Sequence, residues 1–140
     1  MDNTITYHLE KNLDPDTLLD VFIRSGLAER RPSDRDRLKM MCAYGNLVIT
    51  AVQNGKVIGI ARSLTDFTFC TYLSDLAVDK SFQRQGIGVR LIAETKKYSK
   101  PAKLILLAAP AAVDYYPKIG MPKFENCFVL DNLEDLKIPS

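Results

Sequence analysis

The sequence predicts a mixed α/β fold in a single domain spanning residues 1–140. Three observations lead there. The chain has 140 residues, 46% hydrophobic and 26% charged, enough for one ordinary core and too apolar for disorder. A chain of this length buries roughly two-thirds of its unfolded surface, so it needs no disulfide or metal to hold it. The signals along the chain then alternate in the order β-α-α-β-β-β-α-β-α-β, with no repeat or linker dividing them.

Ile5 to Leu9 reads as a short strand. Asp14-Pro15 opens a helix, with Asp as the cap and Pro in the first turn. Leu18, Leu19, Phe22 and Ile23 form its expected buried stripe, and Gly26 ends it. Ser33 to Asp36 resembles a capping box with Asp replacing Glu, and opens a helix whose apolar face is Leu38, Met41 and Cys42. The period then changes. Leu47 to Val52 and Lys56 to Leu64 flank Asn54-Gly55, a hairpin signal because both turn positions favour positive φ. Phe67 to Val78 reads as a second long extended run. A helix over about Ile87 to Tyr98 carries Ile87, Leu91 and Ile92 on one side and Arg90, Glu94 and Lys97 on the other, with Pro101 beyond its end. The apolar run Leu104 to Ala108 suits a strand covered on both faces. Ala111 to Ile119 reads as a short helix and Phe124 to Leu130 as a last strand.

Composition excludes several functions. Lys and Arg number 19 and Asp and Glu 17, a balance that makes no electrostatic case for nucleic acid. The apolar run Leu104 to Val113 is too short to span a membrane, and the N-terminus lacks the pattern of a signal peptide. Cys42, Cys70 and Cys127 are odd in number and widely spaced, which argues against a disulfide framework or zinc site and for reduced thiols in the cytoplasm. His8 is the only histidine, which counts against a His-rich metal site and a Ser-His-Asp hydrolase, so no metal is expected. The basic residues between Arg24 and Lys39 would steer an acidic acceptor, or else form a solvated face.

The informative stretch is Leu76-Ala77-Val78 followed by a polar loop and Gly86-Ile87-Gly88 at the start of a helix. A helix start offers free N–H groups and a partial positive charge, and so binds phosphates. Glycines let a phosphate approach the backbone, and Arg84 can add a charge-assisted contact. The loop is neither a Walker A motif nor a dinucleotide fingerprint, since Leu91 stands at the third glycine's position.

Gln83-x-x-Gly86-x-Gly88 after Leu76-Ala77-Val78 resembles the acetyl-CoA motif of the GNAT superfamily of N-acetyltransferases. Tyr115-Tyr116-Pro117-Lys118-Ile119-Gly120-Met121 is similar to that family's second signature. The resemblance covers about Asn46 to Leu130. It implies the GNAT fold: a mixed, mostly antiparallel central sheet with helices on both faces and strands that splay at the cofactor site. It also implies roles. Gln85, Gly86, Ile87, Gly88 and Val89 would cradle the CoA pyrophosphate through their N–H groups, with Arg84 beside them. Leu76 to Val78 would pair with the pantetheine arm, and an N–H near Ala77 or Val78 would hold the thioester oxygen. Tyr116 would protonate the departing thiolate. The acetyl-CoA would serve as co-substrate, without metal.

Two departures stand out. Ala109 occupies a position that is often Asn in the family, and Pro117 sits where a helix former is usual and would kink the helix. For the general base the alternatives are Asp75, which strand alternation places opposite Leu76, a water ordered by Ser74 or Tyr72 on the Leu76 face, and a water chain to solvent. The expected activity is acetyl transfer to a primary amine of a small molecule, by direct attack in a ternary complex. Family members are often dimers, which makes a homodimer a further expectation. The rival reading, favoured by Ala109 and Pro117, is a non-catalytic CoA-binding sensor on the same fold.

Overall fold

The computed structural model describes residues 2–140, which fall into two compact units, the first ending at Leu107 and the second spanning Ala108–Ser140. In the first unit five strands, β1 (Ile5–Leu9), β2 (Leu47–Gln53), β3 (Lys56–Thr65), β4 (Cys70–Val78) and β5 (Lys103–Ile105), lie in sequence order across one sheet. The first four pair antiparallel, and β5 runs parallel to β4. Helices α1 (Pro15–Ser25) and α2 (Arg35–Tyr44) cover one face and α3 (Ile87–Ser99) the other.

The local signals explain most of these boundaries. The Asp14 carboxylate accepts from the Asp16 N–H, Pro15 occupies the first turn, and Gly26 ends α1 in the left-handed region. Asn54 and Gly55 both adopt positive φ, at 51° and 76°, in the turn between β2 and β3. The α2 cap is Asp34, accepting from the Arg37 N–H, and not Ser33: placed one residue later, it aligns Leu38 with the core. On α1 the buried residues are Leu18, Val21 and Phe22, while Ile23 is 61% exposed, because the helix presents a narrower face to the sheet than its apolar residues would allow. The extended run expected from Phe67 begins only at Cys70. The Asp66 carboxylate takes the N–H groups of Thr68, Phe69 and Cys70, closing a tight loop with Phe67 at φ 62°.

Each sheet face has its own core. Leu13, Leu18, Val21, Phe22 and Leu38 pack with Val48, Ile60 and Ala77 under α1 and α2, while Ile87 and Leu91 of α3 pack with Leu47, Ile49, Ala61 and Leu73. On β4, Leu73 belongs to the α3 side and Ala77 to the α1–α2 side. Strict alternation would put both on one side. The register shows why: Arg62 pairs with Asp75 and Ser63 with Leu73, so Ser74 is the extra residue of a β-bulge that resets the alternation.

The second unit holds 3-10 turns at Pro110–Ala112 and Leu133–Asp135 and a four-residue helix α4 (Tyr115–Lys118), with no strand and no buried residue. Three sequence expectations fail around here. The helix over Ala111 to Ile119 is a 3-10 turn and a short helix, because Pro117 and Gly120 leave room for little more than one turn. The strand over Phe124 to Leu130 is absent: a turn at residues 125 and 126 breaks the run, and no ladder partner supports it. The strand over Leu104 to Ala108 shrinks to Lys103–Ile105, and Ile105 and Leu107 are 41% and 50% exposed, so it is not covered on both faces.

Candidate acetyl-CoA site

The pairing of β4 with β5 covers only Cys70, Thr71 and Tyr72 against Lys103, Leu104 and Ile105. Beyond Tyr72, just before the bulge at Ser74, β5 supplies no further partner. From Leu73 to Val78, β4 therefore pairs on one side with β3 and leaves its other backbone edge open among the described residues. An open edge of this kind accepts an extended amide-bearing chain as an added strand. Along it, Ala77 is buried and Leu76 and Val78 are half-buried.

The open edge leads directly into the loop before α3. Asp79 ends the strand, its N–H donating to the Ile58 carbonyl at 2.8 Å, and its carboxylate caps the Ser81 N–H at 2.8 Å. The Gln83 side chain donates back to the Val78 carbonyl at 3.0 Å. Arg84 and Gly86 then take positive φ, 65° and 80°, which turns the chain into α3. The first helical bond runs from the Arg90 N–H to the Gly86 carbonyl at 3.1 Å, and no described residue accepts from the N–H groups of Gln85 to Val89. Arg84, Gln85, Gly86 and Val89 are exposed, Gly88 is half-buried, and Ile87 is buried as the helix's anchor on the sheet. A Cβ on Gly86 would meet no atom within 4 Å, so the space over these donors is open. Unpaired N–H groups at a helix start under open space fit a pyrophosphate, and the free β4 edge fits the amides of a pantetheine arm. The residues present thus suit acetyl-CoA.

Asp75 lies elsewhere. It is completely buried on the α1–α2 side, its Oδ1 accepting from Arg31 Nε at 2.6 Å and its Oδ2 from Arg62 Nε. Both oxygens are engaged by guanidinium groups and none of the side chain reaches solvent, so this candidate for the base sits in a buried ion-pair network. Ser74 also fails to share a face with Leu76: its Oγ accepts from Arg62 at 3.2 Å, on the Asp75 side. Tyr72, which alternates with Leu73, likewise lies opposite the face that Leu73 and Leu76 share. The bulge causes both differences.

Three basic residues between Arg24 and Lys39 form ion pairs, Arg24 with Asp20 and Asp79, Arg31 with Asp75, and Arg35 with Asp16, while Arg30, Arg37 and Lys39 are exposed. Asp79 is buried, which by itself raises its carboxyl pKa, but the Ser81 N–H and the Arg24 guanidinium outweigh this and hold it below the usual carboxylate range. No sequence signal marked the Arg24–Asp79 or Arg62–Asp75 pairs, because each partner lies far away along the chain.

In the second unit, Tyr116 is half-buried and its ring packs edge-on to Tyr115, with centroids 5.3 Å apart. Burial, followed by the neighbouring Tyr115, raises its phenol pKa above the ordinary value. Pro117 causes no kink. It lies in the first turn of α4, where its missing N–H has no helical acceptor, and the Tyr116 carbonyl still accepts from Ile119 and Met121 at 3.1 and 3.0 Å.

Among the described residues no cluster of His, Cys, Asp and Glu is arranged to hold a metal ion, and no helix is long and apolar enough to cross a membrane. Comparison with known proteins bears on the same residues. The family model described as "Acetyltransferase (GNAT) domain" matches residues 28–137. The uncharacterized N-acetyltransferases ycf52 of Gracilaria tenuistipitata var. liui and Pyropia yezoensis are 29% and 24% identical over 65% and 62% of this chain. The chain spans about half the length of these curated relatives, 53% and 54%. A GNAT-family acetyltransferase of Streptococcus pneumoniae superposes with TM-score 0.77 at 21% identity, over 93% of this chain and 98% of that one. The aminoglycoside N-acetyltransferase AAC(6')-Iy, in complex with CoA, superposes with TM-score 0.73 at 15% identity, over 95% and 97%. An aminoglycoside acetyltransferase from an uncultured soil metagenomic sample, in complex with sisomicin, does so with TM-score 0.69 at 20% identity, over 95% and 97%. With its five-stranded sheet, its open β4 edge and a family match over most of its length, the chain belongs to the GNAT acetyltransferase family.

Proposed function

We propose that this chain, as one acetyltransferase domain, transfers the acetyl group of acetyl-CoA to a primary amine of a small molecule, by direct attack of the amine in a ternary complex. The observation that carries the reading is the open β4 edge running straight into unpaired N–H groups at the start of α3. Acetyl-CoA supplies an activated thioester. The chain's own residues do the rest: Gln85 to Val89 hold the pyrophosphate with Arg84 beside them, Leu76 to Val78 align the arm, and an N–H near Ala77 or Val78 stabilises the thioester oxygen. Tyr116 donates its proton to the departing sulfur. A small amine as acceptor is supported by the aminoglycoside acetyltransferases among proteins of similar fold. Transfer without an acyl-enzyme is supported by Cys42, whose thiol pKa is raised by burial, and by Cys70, whose thiol lies 4.0 Å from the Asp66 carboxylate. Three free thiols also suit a reducing compartment such as the cytoplasm. The amine loses its proton to water, because Asp75 is spent on arginines.

The test is an acceptor screen following free thiol release from acetyl-CoA with polyamines, aminoglycosides and amino acids. Turnover with at least one small amine is the expected result. Tight CoA binding with no turnover on any acceptor would replace the enzyme with a CoA-binding sensor.

A further inference from the structure

The open stretch of β4 carries Asp75 directly after the bulge and ends at Asp79 before the loop, and each carboxylate is gripped by an arginine from one short stretch of chain. Arg24 sits in the last turn of α1, where its Nη1 donates to Asp79 Oδ2 and its Nη2 to the Val57 carbonyl at 2.5 Å. Arg31 directly follows the 3-10 turn Leu27–Arg30. Its Nε donates to Asp75 Oδ1 at 2.6 Å and its Nη2 to the Ser74 carbonyl at 2.7 Å, so it holds the backbone of the bulge itself. Between these grips the chain turns at Gly26, where a Cβ would lie 2.9 Å from Lys80 Cε, so the turn nests against the first residues of the loop.

These are not surface pairs. The side chains of Arg24 and Asp79 are 18% and 10% exposed, and those of Arg31 and Asp75 22% and 0%. Pairs so far removed from water are geometrically demanding, because each charge depends on its partner's position. We propose that the stretch from Arg24 to Arg31 is a two-point clamp on the open edge, with Arg31 positioning the bulge that sets the register of β4 toward the N–H groups of Ala77 and Val78, and Arg24 positioning the loop end beside the pyrophosphate donors. Both are positioning residues, acting through Asp75, Ser74 and Asp79. The inference rests on the reading of this edge and loop as the acetyl-CoA site.

A separation of effects tests it. Arg24→Ala should weaken CoA binding in calorimetry about tenfold and leave kcat for thiol release from acetyl-CoA within about twofold, the scale of one charge-assisted hydrogen bond. Arg31→Ala should do the reverse, lowering kcat about tenfold with CoA affinity little changed. Asp75 keeps Arg62 in that variant, so it retains a charged partner. Arg24→Lys should recover most CoA affinity. Arg31→Lys should not recover kcat, because one ammonium cannot reproduce the fork across Asp75 and Ser74. Should an alanine variant not fold, Arg24→Met or Arg31→Met, which keeps the aliphatic stem and removes the guanidinium, carries the test. Amide hydrogen exchange gives a reading that needs no ligand: Arg24 substitution should speed exchange at Asp79 and Ser81, and Arg31 substitution at Leu73 to Asp75. Equal shifts in both kinetic parameters, or exchange accelerated evenly across the sheet, would overturn the clamp. If the unaltered protein binds no CoA, the acetyl-CoA reading falls, and the local exchange pattern still decides the clamp.

Discussion

Arg62 and Asp75 stand opposite each other across β3 and β4, with the arginine Nε donating to Asp75 Oδ2 at the centre of a buried network. The same guanidinium donates to the Met41 carbonyl at 3.1 Å, in the last turn of α2, and Arg31 takes the other carboxylate oxygen. One carboxylate thus ties both central strands to the connections around α2. Asp75→Ala should cost about 3–5 kcal/mol in urea unfolding, because it leaves the buried Arg62 and the part-buried Arg31 without their carboxylate. A loss of turnover with stability intact would instead restore Asp75 as the base.

Gly86 is the residue the loop can least replace. Its φ of 80° strains any other residue, by about 1–2 kcal/mol, and the space above it is where a phosphate would sit. Gly86→Val should abolish measurable CoA binding in calorimetry while the protein stays folded by circular dichroism. Arg84→Ala should cost about 1 kcal/mol of binding, since the backbone donors remain. Unchanged affinity in folded Gly86→Val would remove the loop from the site.

Tyr116→Phe removes the proposed proton donor and keeps the ring. A thiol of pKa about 8.5 already leaves well, so kcat should fall by about 100-fold, the low end for general acid catalysis, with CoA affinity unchanged. The raised phenol pKa sets the pH dependence. Tyr116 stays protonated beyond its ordinary pKa of about 10, so kcat should rise with pH as the amine loses its proton and should not fall below about pH 10. A wild-type kcat in Tyr116→Phe, with chemistry rate-limiting, would leave water as the donor.

Asp79 makes an acid-stability prediction. Its pKa is lower folded than unfolded, so the stabilisation from ionising it is fully present above the unfolded value of about 3.9 and is lost as pH falls through the lower folded value. Asp79→Asn should be less stable than the parent at pH 7, and the gap should close below about pH 4. Parallel stability curves for the two proteins down to pH 2 would show that Arg24 and Ser81 do not favour the carboxylate.

The elements legible in the sequence are those whose causes lie within a few residues. Asp14 and Gly26 bound α1, Asn54-Gly55 turns the hairpin, and Gly86 opens α3, each through a hydrogen bond or φ angle its neighbours define. The loop proposed to hold acetyl-CoA was readable for the same reason, as strand, turn and helix start adjoin along the chain. The α2 cap moved by one residue because Ser33 and Asp34 both suit that role, and only docking of Leu38 chooses between them.

What the sequence alone determined, then, is the order of elements through α3, the glycine-bearing loop and the family signatures. Tertiary structure decided the rest. The bulge at Ser74 exists only in the register of β4 against β3, and it turned Ser74 and Tyr72 away from the Leu76 face, while distant arginines enclosed Asp75 on the other side. Phe124 to Leu130 carried strand-forming residues but joined no ladder. Within the basic run, Asp79 and Asp75 drew only Arg24 and Arg31 out of the solvated face, and Arg30, Arg35, Arg37 and Lys39 remain exposed. In each case the deciding partner lies far along the chain: a strand needs a neighbour to take its backbone hydrogen bonds, and a buried charge needs an opposite one, and neither requirement is met within a local window of residues.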